Sequence, residues 1–315
     1  MPKISVVVPV HNVASCLENT VASVMSQTFR DIEILLVENK SNDGSYEKCL
    51  ELAAEDKRIK VMRLEESGLS LARNAGIDAA VSEYVSFIDG DDIIEADMLQ
   101  VLYDSMMKYG ADLASCDYIL DFPDRESVCR YNVTGETRFM SSAEMLYELL
   151  QEKICSSACV MLCRKSLFDH VRFPVGRYYE DHAATYLLVD AAKNGCVHVG
   201  RTMYHYIQRS DSISHRPEFK KKYDFALSSL ERLEFIHAYP EFAEKQKKEI
   251  MLNDIRIYID NIIGAIALVT NDEEKKTLEE LKDRGNVILT YKAATGRRKE
   301  RLLRMKYLWK LFYKQ

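Results

Sequence analysis

The chain has 315 residues, 47% apolar and 29% charged, with 12 Gly and 6 Pro, an ordinary composition for a soluble globular protein of one main domain and a substantial appendage. Apolar runs such as Ile262 to Val269 are too short to span a bilayer, and Met1-Pro2-Lys3-Ile4-Ser5 leads straight into a strand pattern, so neither membrane span nor signal peptide is expected. The net charge of −6 is uneven: residues 296–315 carry eight Lys or Arg against the single Glu300, which leaves −13 on the rest.

The first 120 residues alternate strand and helix patterns. Ile4 to Val8, Ile32 to Val37, Ile59 to Leu64, Tyr84 to Ile88 and Asp112 to Tyr118 read as short buried strands. Leu17 to Met25, Ser45 to Glu55, Leu69 to Ala80 and Met98 to Lys108 have helical spacing between them. Such alternation implies βαβ units, right-handed crossovers and a mostly parallel sheet. From Asp121 to Ser142 the pattern weakens to a connection, with a strand at Val128 to Asn132. A helix is expected over Ser141 to Leu150, capped by Ser141 or Ser142, then a strand over Ala158 to Cys163 and a helix over Asp181 to Lys193. Val197 to Gly200 and Met203 to Gln208 read as two short strands. After Pro217 the chain turns to long charged helices, Lys220 to His237, Phe242 to Val269 and Asp272 to Asp283. The boundary is set at 216. Residues 1–216 are expected to form the α/β domain, in two halves of about 1–118 and about 119–216. Residues 217–315 form a helical region ending in the basic tail 296–315.

The eight cysteines show no paired framework and, without an export signal, are expected to be reduced. Cys155, Cys159 and Cys163 are spaced to line a helix face, but no His or Cys pair completes a zinc signature, so small buried thiols are expected there.

The polar motifs cluster at the carboxyl ends of the strands, where open α/β sheets bind ligands. Pro9-Val10-His11-Asn12 follows the first strand, Glu38 to Ser45 the second, and Ser67 to Gly76 opens the helix after the third. Phe87-Ile88-Asp89-Gly90-Asp91-Asp92 ends the fourth. Carboxylates so crowded are hard to keep ionised without a cation among them, and oxygen-only ligands favour Mg²⁺ or Mn²⁺. Tyr178-Tyr179-Glu180-Asp181 comes much later, followed by Gln208-Arg209-Ser210-Asp211-Ser212-Ile213-Ser214.

These segments, in this order over roughly residues 1–215, resemble glycosyltransferase family 2. The resemblance implies the GT-A fold, Rossmann-like with a mostly parallel central sheet and flanking helices, here with a C-terminal helical extension. It implies an inverting, metal-dependent enzyme that moves a sugar from a nucleotide donor to a hydroxyl. The acceptor would be a glycan or lipid-linked oligosaccharide of cell-surface polysaccharide synthesis. Pro9 and His11 would flank the nucleobase, His11 standing where the family usually has Tyr, unless it is a loop histidine without a role. Glu38-Asn39 replaces the usual Asp-Asp pair, keeping a carbonyl acceptor while losing a charge, so UDP is favoured without being fixed. Arg73 resembles a group near the nucleotide, its alternative being a surface cation at a helix start. Asp89 would meet ribose and metal, and Asp91 would bind the metal directly. Asp92 reads equally as ligand, helix cap or supporting group. Arg209 and Ser212 would lie over the pyrophosphate, and His215 would complete the metal shell or be a plain loop residue.

Asp181 resembles the general base, its alternative being an N-cap for the helix from His182 onward. Two rival classes are a nucleotide-sugar-binding module without turnover and a nucleotidyltransferase. The first would be favoured by loss of Asp91 or Asp181, both present; the second by a Gly-rich basic loop after strand one, which is missing. In the tail, Leu302, Met305, Leu308, Trp309 and Phe312 fall on one helical stripe among basic residues. That pattern suits either an anionic membrane interface or packing on the acidic body, with nucleic acid the weakest partner. The expected location is cytoplasmic, peripheral at the inner face of the membrane.

Overall fold

The structure, a computed structural model, describes residues 1–131, 133–208 and 218–289, with side chains through 285. The chain packs as two compact units, Met1–Gly176 with Ala184–Ser212, and Arg177–Ala183 with Ile213–Gln315.

The first unit opens with the expected alternation: β1 (Ile4–Val10), α1 (Leu17–Met25), β2 (Ile32–Asn39), α2 (Ser45–Glu55), β3 (Ile59–Leu64), α3 (Leu69–Ala79) and β4 (Tyr84–Phe87). Every residue of β1, β2 and β4 is buried, as for parallel strands covered on both faces. Next come β5 (Ile93–Ile94), α4 (Met98–Tyr109), β6 (Leu113–Asp121), β7 (Val128–Cys129), β8 (Thr137–Met140) and α5 (Ser142–Leu150). Then β9 (Met161–Arg164), α6 (Glu180–Ala191) and β10 (Cys196–Ile207) complete the sheet. The strand order is β3-β2-β1-β4-β9-β6-β10-β5, with β7 on β6 and β8 on β10. The run β3-β2-β1-β4 is parallel throughout, so its strands open at one carboxyl edge. β9 enters antiparallel between β4 and β6, and β10 runs parallel to β6.

Local chemistry accounts for several boundaries. Ser141 and Glu144 form a reciprocal capping box at the start of α5. Gly110 ends α4 at φ +67, a conformation glycine adopts without a Cβ penalty. Two expectations change. Ala158 to Val160 is a 3₁₀ turn, with the strand beginning only at Met161. The two short strands expected around residue 200 are one strand, β10, whose register shifts between His198 and Tyr204 absorb the break read at Gly200. Strand β7 is shorter than the expected Val128 to Asn132, and Asn132 lies outside the described residues. Cys155, Cys159 and Cys163 are buried thiols spread over a loop, the 3₁₀ turn and β9, so no helix face presents them to a metal. None of the eight cysteines forms a disulfide.

In the second unit, α7 (Phe219–Ala238), α8 (Glu244–Ile266) and α9 (Asp272–Leu289) pack around Leu230, Leu233, Ile255, Tyr258, Ile262 and Leu278. Residues 177–183 pack with these helices, an arrangement absent from the division at 216. Among the described residues no helix is long and apolar enough to cross a membrane.

Candidate functional site

The loops after β1 and β2 are laced together by side chains of the Asn-Asp-Gly-Ser segment. Asp43 accepts from the Ala14 amide at 3.0 Å and from the Ser45 amide and hydroxyl. Burial opposes its ionisation, but those donors hold the Asp43 carboxyl below its ordinary value. Ser45 Oγ accepts from the Val13 amide, Ser41 Oγ from the Asn12 amide, and Asn12 Oδ1 from the Asn42 amide. Because Asn12 Oδ1 is thus assigned, its Nδ2 is the donor that meets His11 Nε2 at 3.3 Å. His11 Nδ1 then donates to the Asn39 carbonyl at 2.7 Å. The imidazole is therefore a fixed, half-buried plane at the edge of the sheet, and Pro9 is buried within β1.

Glu38 and Asn39 point inward. Glu38 is fully buried, accepts from the Ser41 amide and pairs with Arg63 Nε at 3.1 Å. Asn39 Oδ1 accepts from the Gly68 amide at 2.9 Å, tying the second loop to the start of α3. The carbonyl and carboxylate read as base acceptors are thus both engaged with the protein's own backbone and with Arg63.

Each polar residue of the Ala72-Arg73-Asn74 segment reaches a different part of the site. Arg73 is not a surface cation: it is 1% exposed, and its guanidinium meets Asp89 Oδ1 at 3.1 Å. It lies 5.2 Å from the Phe173 ring centroid and 5.9 Å from that of Phe87. Asn74 donates to the Phe173 carbonyl and accepts from the Phe173 amide, at 2.8 and 3.1 Å, as a strand neighbour would.

The acidic turn sits between β4 and β5. Its Gly90 is required sterically, since a Cβ there would lie 2.9 Å from the Pro9 carbonyl oxygen and 3.1 Å from Val13. The Gly90 carbonyl accepts from Thr20 Oγ1 of α1 at 3.0 Å. Asp89 and Asp91 are half-buried at the edge. Asp92 is 2% exposed and turned away, accepting from the Tyr204 hydroxyl and, at 2.9 Å, from the Ile207 amide of β10. It is neither helix cap nor edge ligand, because α4 starts six residues later at Met98 and both its oxygens serve β10. Burial first, then the charges of Asp89 and Asp91, push its carboxyl well above the ordinary range. Tyr204, unnoticed in the sequence, is the post of this turn: it donates to Asp92 and accepts from the Asp89 amide at 3.3 Å. Its only sequence signal is the alternation of Tyr204 and Tyr206 in a strand.

Among the described residues no group of three or more His, Cys, Asp or Glu forms a ready metal cluster. Asp89 and Asp91 alone still suit Mg²⁺ or Mn²⁺, which need one or two carboxylates when phosphate oxygens and water complete the shell. His215, the third expected ligand, and Arg209 and Ser212 lie outside the described residues.

In the second unit, Asp181 lies inside the first turn of α6, which begins at Glu180, so it is not the helix N-cap. A carboxylate in a first helical turn is stabilised by the helix dipole.

A family model described as glycosyl transferase family 2 matches residues 5–170. Glycosyltransferase GlyA of Streptococcus pneumoniae serotype 4 is 34% identical over 223 residues, covering 67% of this chain but only 31% of that protein. GlyG of the same organism is 32% identical over 226 residues, covering 69% and 74%. S. aureus TarS, as its residues 1–349, superposes with a TM-score of 0.64 at 19% identity over 90% of this chain and 87% of that one, a likeness of fold. The sheet, the laced strand-end loops and these matches agree, and the chain belongs to glycosyltransferase family 2.

Proposed function

We propose that this protein is an inverting, metal-dependent glycosyltransferase that moves a hexosyl or N-acetylhexosaminyl group from a UDP-linked donor. The acceptor is a hydroxyl of a glycan or lipid-linked oligosaccharide in cell-surface polysaccharide synthesis. The observation that carries the reading is the acidic turn. Asp89 and Asp91 stand at the carboxyl edge of the parallel strands, braced by Arg73, Tyr204 and the close approach of Gly90 to β1. The UDP part is supported by TarS 1–349, which has been crystallised with UDP-GlcNAc.

His11 offers its ring face to the base, and Asp89 and Asp91 would hold the divalent ion. When bound, that ion supplies Lewis-acid stabilisation of the diphosphate leaving group. Asp181 accepts the proton of the acceptor hydroxyl as that oxygen bonds to the anomeric carbon and the bond to the diphosphate breaks. UDP leaves, and the configuration inverts. Arg209 and Ser212 would supply donors to the pyrophosphate, and His215 a further ligand. The tail 296–315 holds the enzyme against an anionic membrane surface at its cytoplasmic face, where a lipid-linked acceptor resides.

The test joins binding to turnover. UDP should raise the melting temperature far more with Mn²⁺ than with chelator, and Asp91→Asn should erase the difference while leaving the unliganded melt unchanged. Asp181→Asn should lower transfer about 10²–10⁴-fold with UDP binding intact. Equal stabilisation in chelator would remove the metal from the reading. Transfer by Asp181→Asn within about tenfold of wild type would remove the base.

A further inference from the structure

We infer that the C-terminal helices belong to the acceptor machinery: α7 and α8 position Asp181 through a buried cluster of His182, Arg232 and Asp254. The inference rests on the reading of Asp181 as general base and deepens it by naming what aligns that base.

Residues 177–183 pack in the same compact unit as α7, α8 and α9. α7 grips this segment residue by residue. Arg177 makes paired contacts with Glu231, at 3.0 and 2.9 Å, and reaches Ser228 at 2.8 Å. The Tyr178 amide donates to Asp224 at 2.9 Å. Tyr179 has φ +58, a left-handed backbone that a bulky residue adopts only where its surroundings over-determine it. Its ring stacks on Phe225 with centroids 4.2 Å apart. The strained residue comes directly before Glu180-Asp181, so the backbone leading into the base is held by α7.

The residue after Asp181 is pinned as firmly. His182 is 11% exposed, and Arg232 Nη1 lies 2.6 Å from its Nδ1 and 3.2 Å from its Nε2. Its Nε2 lies 3.3 Å from Ser229 Oγ and 3.4 Å from Asp254 Oδ1. Arg232 and Asp254, 2% and 0% exposed, pair at 3.3 Å. Neither Asp254 oxygen has a hydrogen bond of good geometry among the described residues, so charge attraction holds the pair. A buried ion pair is weak evidence for stability, because apolar residues of like volume often serve as well. Apolar residues would not, however, hold an imidazole by its ring nitrogens. A general base must sit within hydrogen-bond reach of the proton it takes, and a displacement of about 1 Å can cost about 10²-fold in rate. A buried Arg232–Asp254 pair held against the ring nitrogens of the neighbour of Asp181 serves that requirement.

The experiment is a double-mutant cycle on release of UDP from a UDP-sugar with acceptor, alongside UDP binding by calorimetry. His182→Ala should lower kcat about 10–100-fold and leave the UDP dissociation constant unchanged. Added to Asp181→Asn, it should lower the residual rate no further, because the group it aligns is gone. His182→Gln, which keeps a donor and an acceptor, should recover most of the rate. Phe225→Leu, which loosens both Tyr179 and the His182 ring packed on it while keeping every charged side chain, should reproduce the fall in kcat with intact UDP binding and covers the case in which His182→Ala does not fold. The inference is overturned if Asp181→Asn slows transfer while these variants leave kcat alone, or if their effects add fully to it. A wild-type rate in Asp181→Asn instead sinks the base reading itself.

Discussion

Gly76 lies inside α3, where replacing glycine by alanine ordinarily stabilises by about 0.5–1 kcal/mol. Here a Cβ would meet the methyls of Val7 in β1 at 2.2 and 2.8 Å. Valine is stiff at χ1 and this one is fully buried, so it cannot swing away. Gly76→Ala should therefore destabilise by about 1–3 kcal/mol, the usual cost of overpacking. Val7→Ala in the same chain should recover part of the loss. Urea unfolding checks the sign: a stabilised Gly76→Ala would mean that α3 does not lie so close on the sheet. Arg73, Asn74 and Gly76 were legible in the sequence as one family segment. That they serve the acidic turn, the Phe173 backbone and the strand floor was not, because each partner lies far along the chain.

At the scale of elements, β10 ties the donor edge to the rest of the sheet. Tyr204 and Ile207 hold Asp92, while His205 bridges Asp121 at the end of β6 and Glu95 beyond β5, at 2.6 and 3.0 Å. Burial disfavours the charged ring, but hydrogen bonds and charge from Glu95 and Asp121 outweigh it and raise the His205 pKa above its ordinary value. A raised folded pKa contributes stability that is fully present below the unfolded value of about 6.5 and is lost as pH rises through the folded value. His205→Gln should therefore destabilise clearly near pH 6 and much less near pH 9. Melting temperatures of both proteins across that range test it. A gap that does not change with pH would show that His205 braces these elements by packing alone. Nothing in the sequence marked this histidine, since Glu95 and Asp121 reach it only once β5 and β6 flank β10.

At the scale of the molecule, charge is the dominant asymmetry. Residues 296–315 carry a strongly positive segment beside an acidic remainder. They lie outside the described residues, so their role rests on the sequence pattern of Trp309 and Phe312 among basic residues. The intact protein should sediment with anionic liposomes at low salt and be released as salt shortens the screening length to about 8 Å near 0.15 M. A chain ending at Thr295 should stay in the supernatant. If the intact protein stays there as well, the membrane role fails and the case for a membrane-held acceptor weakens with it.

The sequence by itself determined the alternation of β1 to β4 with their helices, the family, and the acidic turn at a strand end. Apolar runs, helical periods and motif order are local properties, and a parallel sheet must carry its strand-end loops to one edge. Only the tertiary structure decided that β9 enters antiparallel, that Asp92 serves β10, and that residues 177–183 pack with the C-terminal helices. Those outcomes depend on partners tens of residues away, such as Tyr204 for Asp92 and Asp254 for His182. A buried charge is settled by whichever distant group compensates it, and no local pattern encodes that choice.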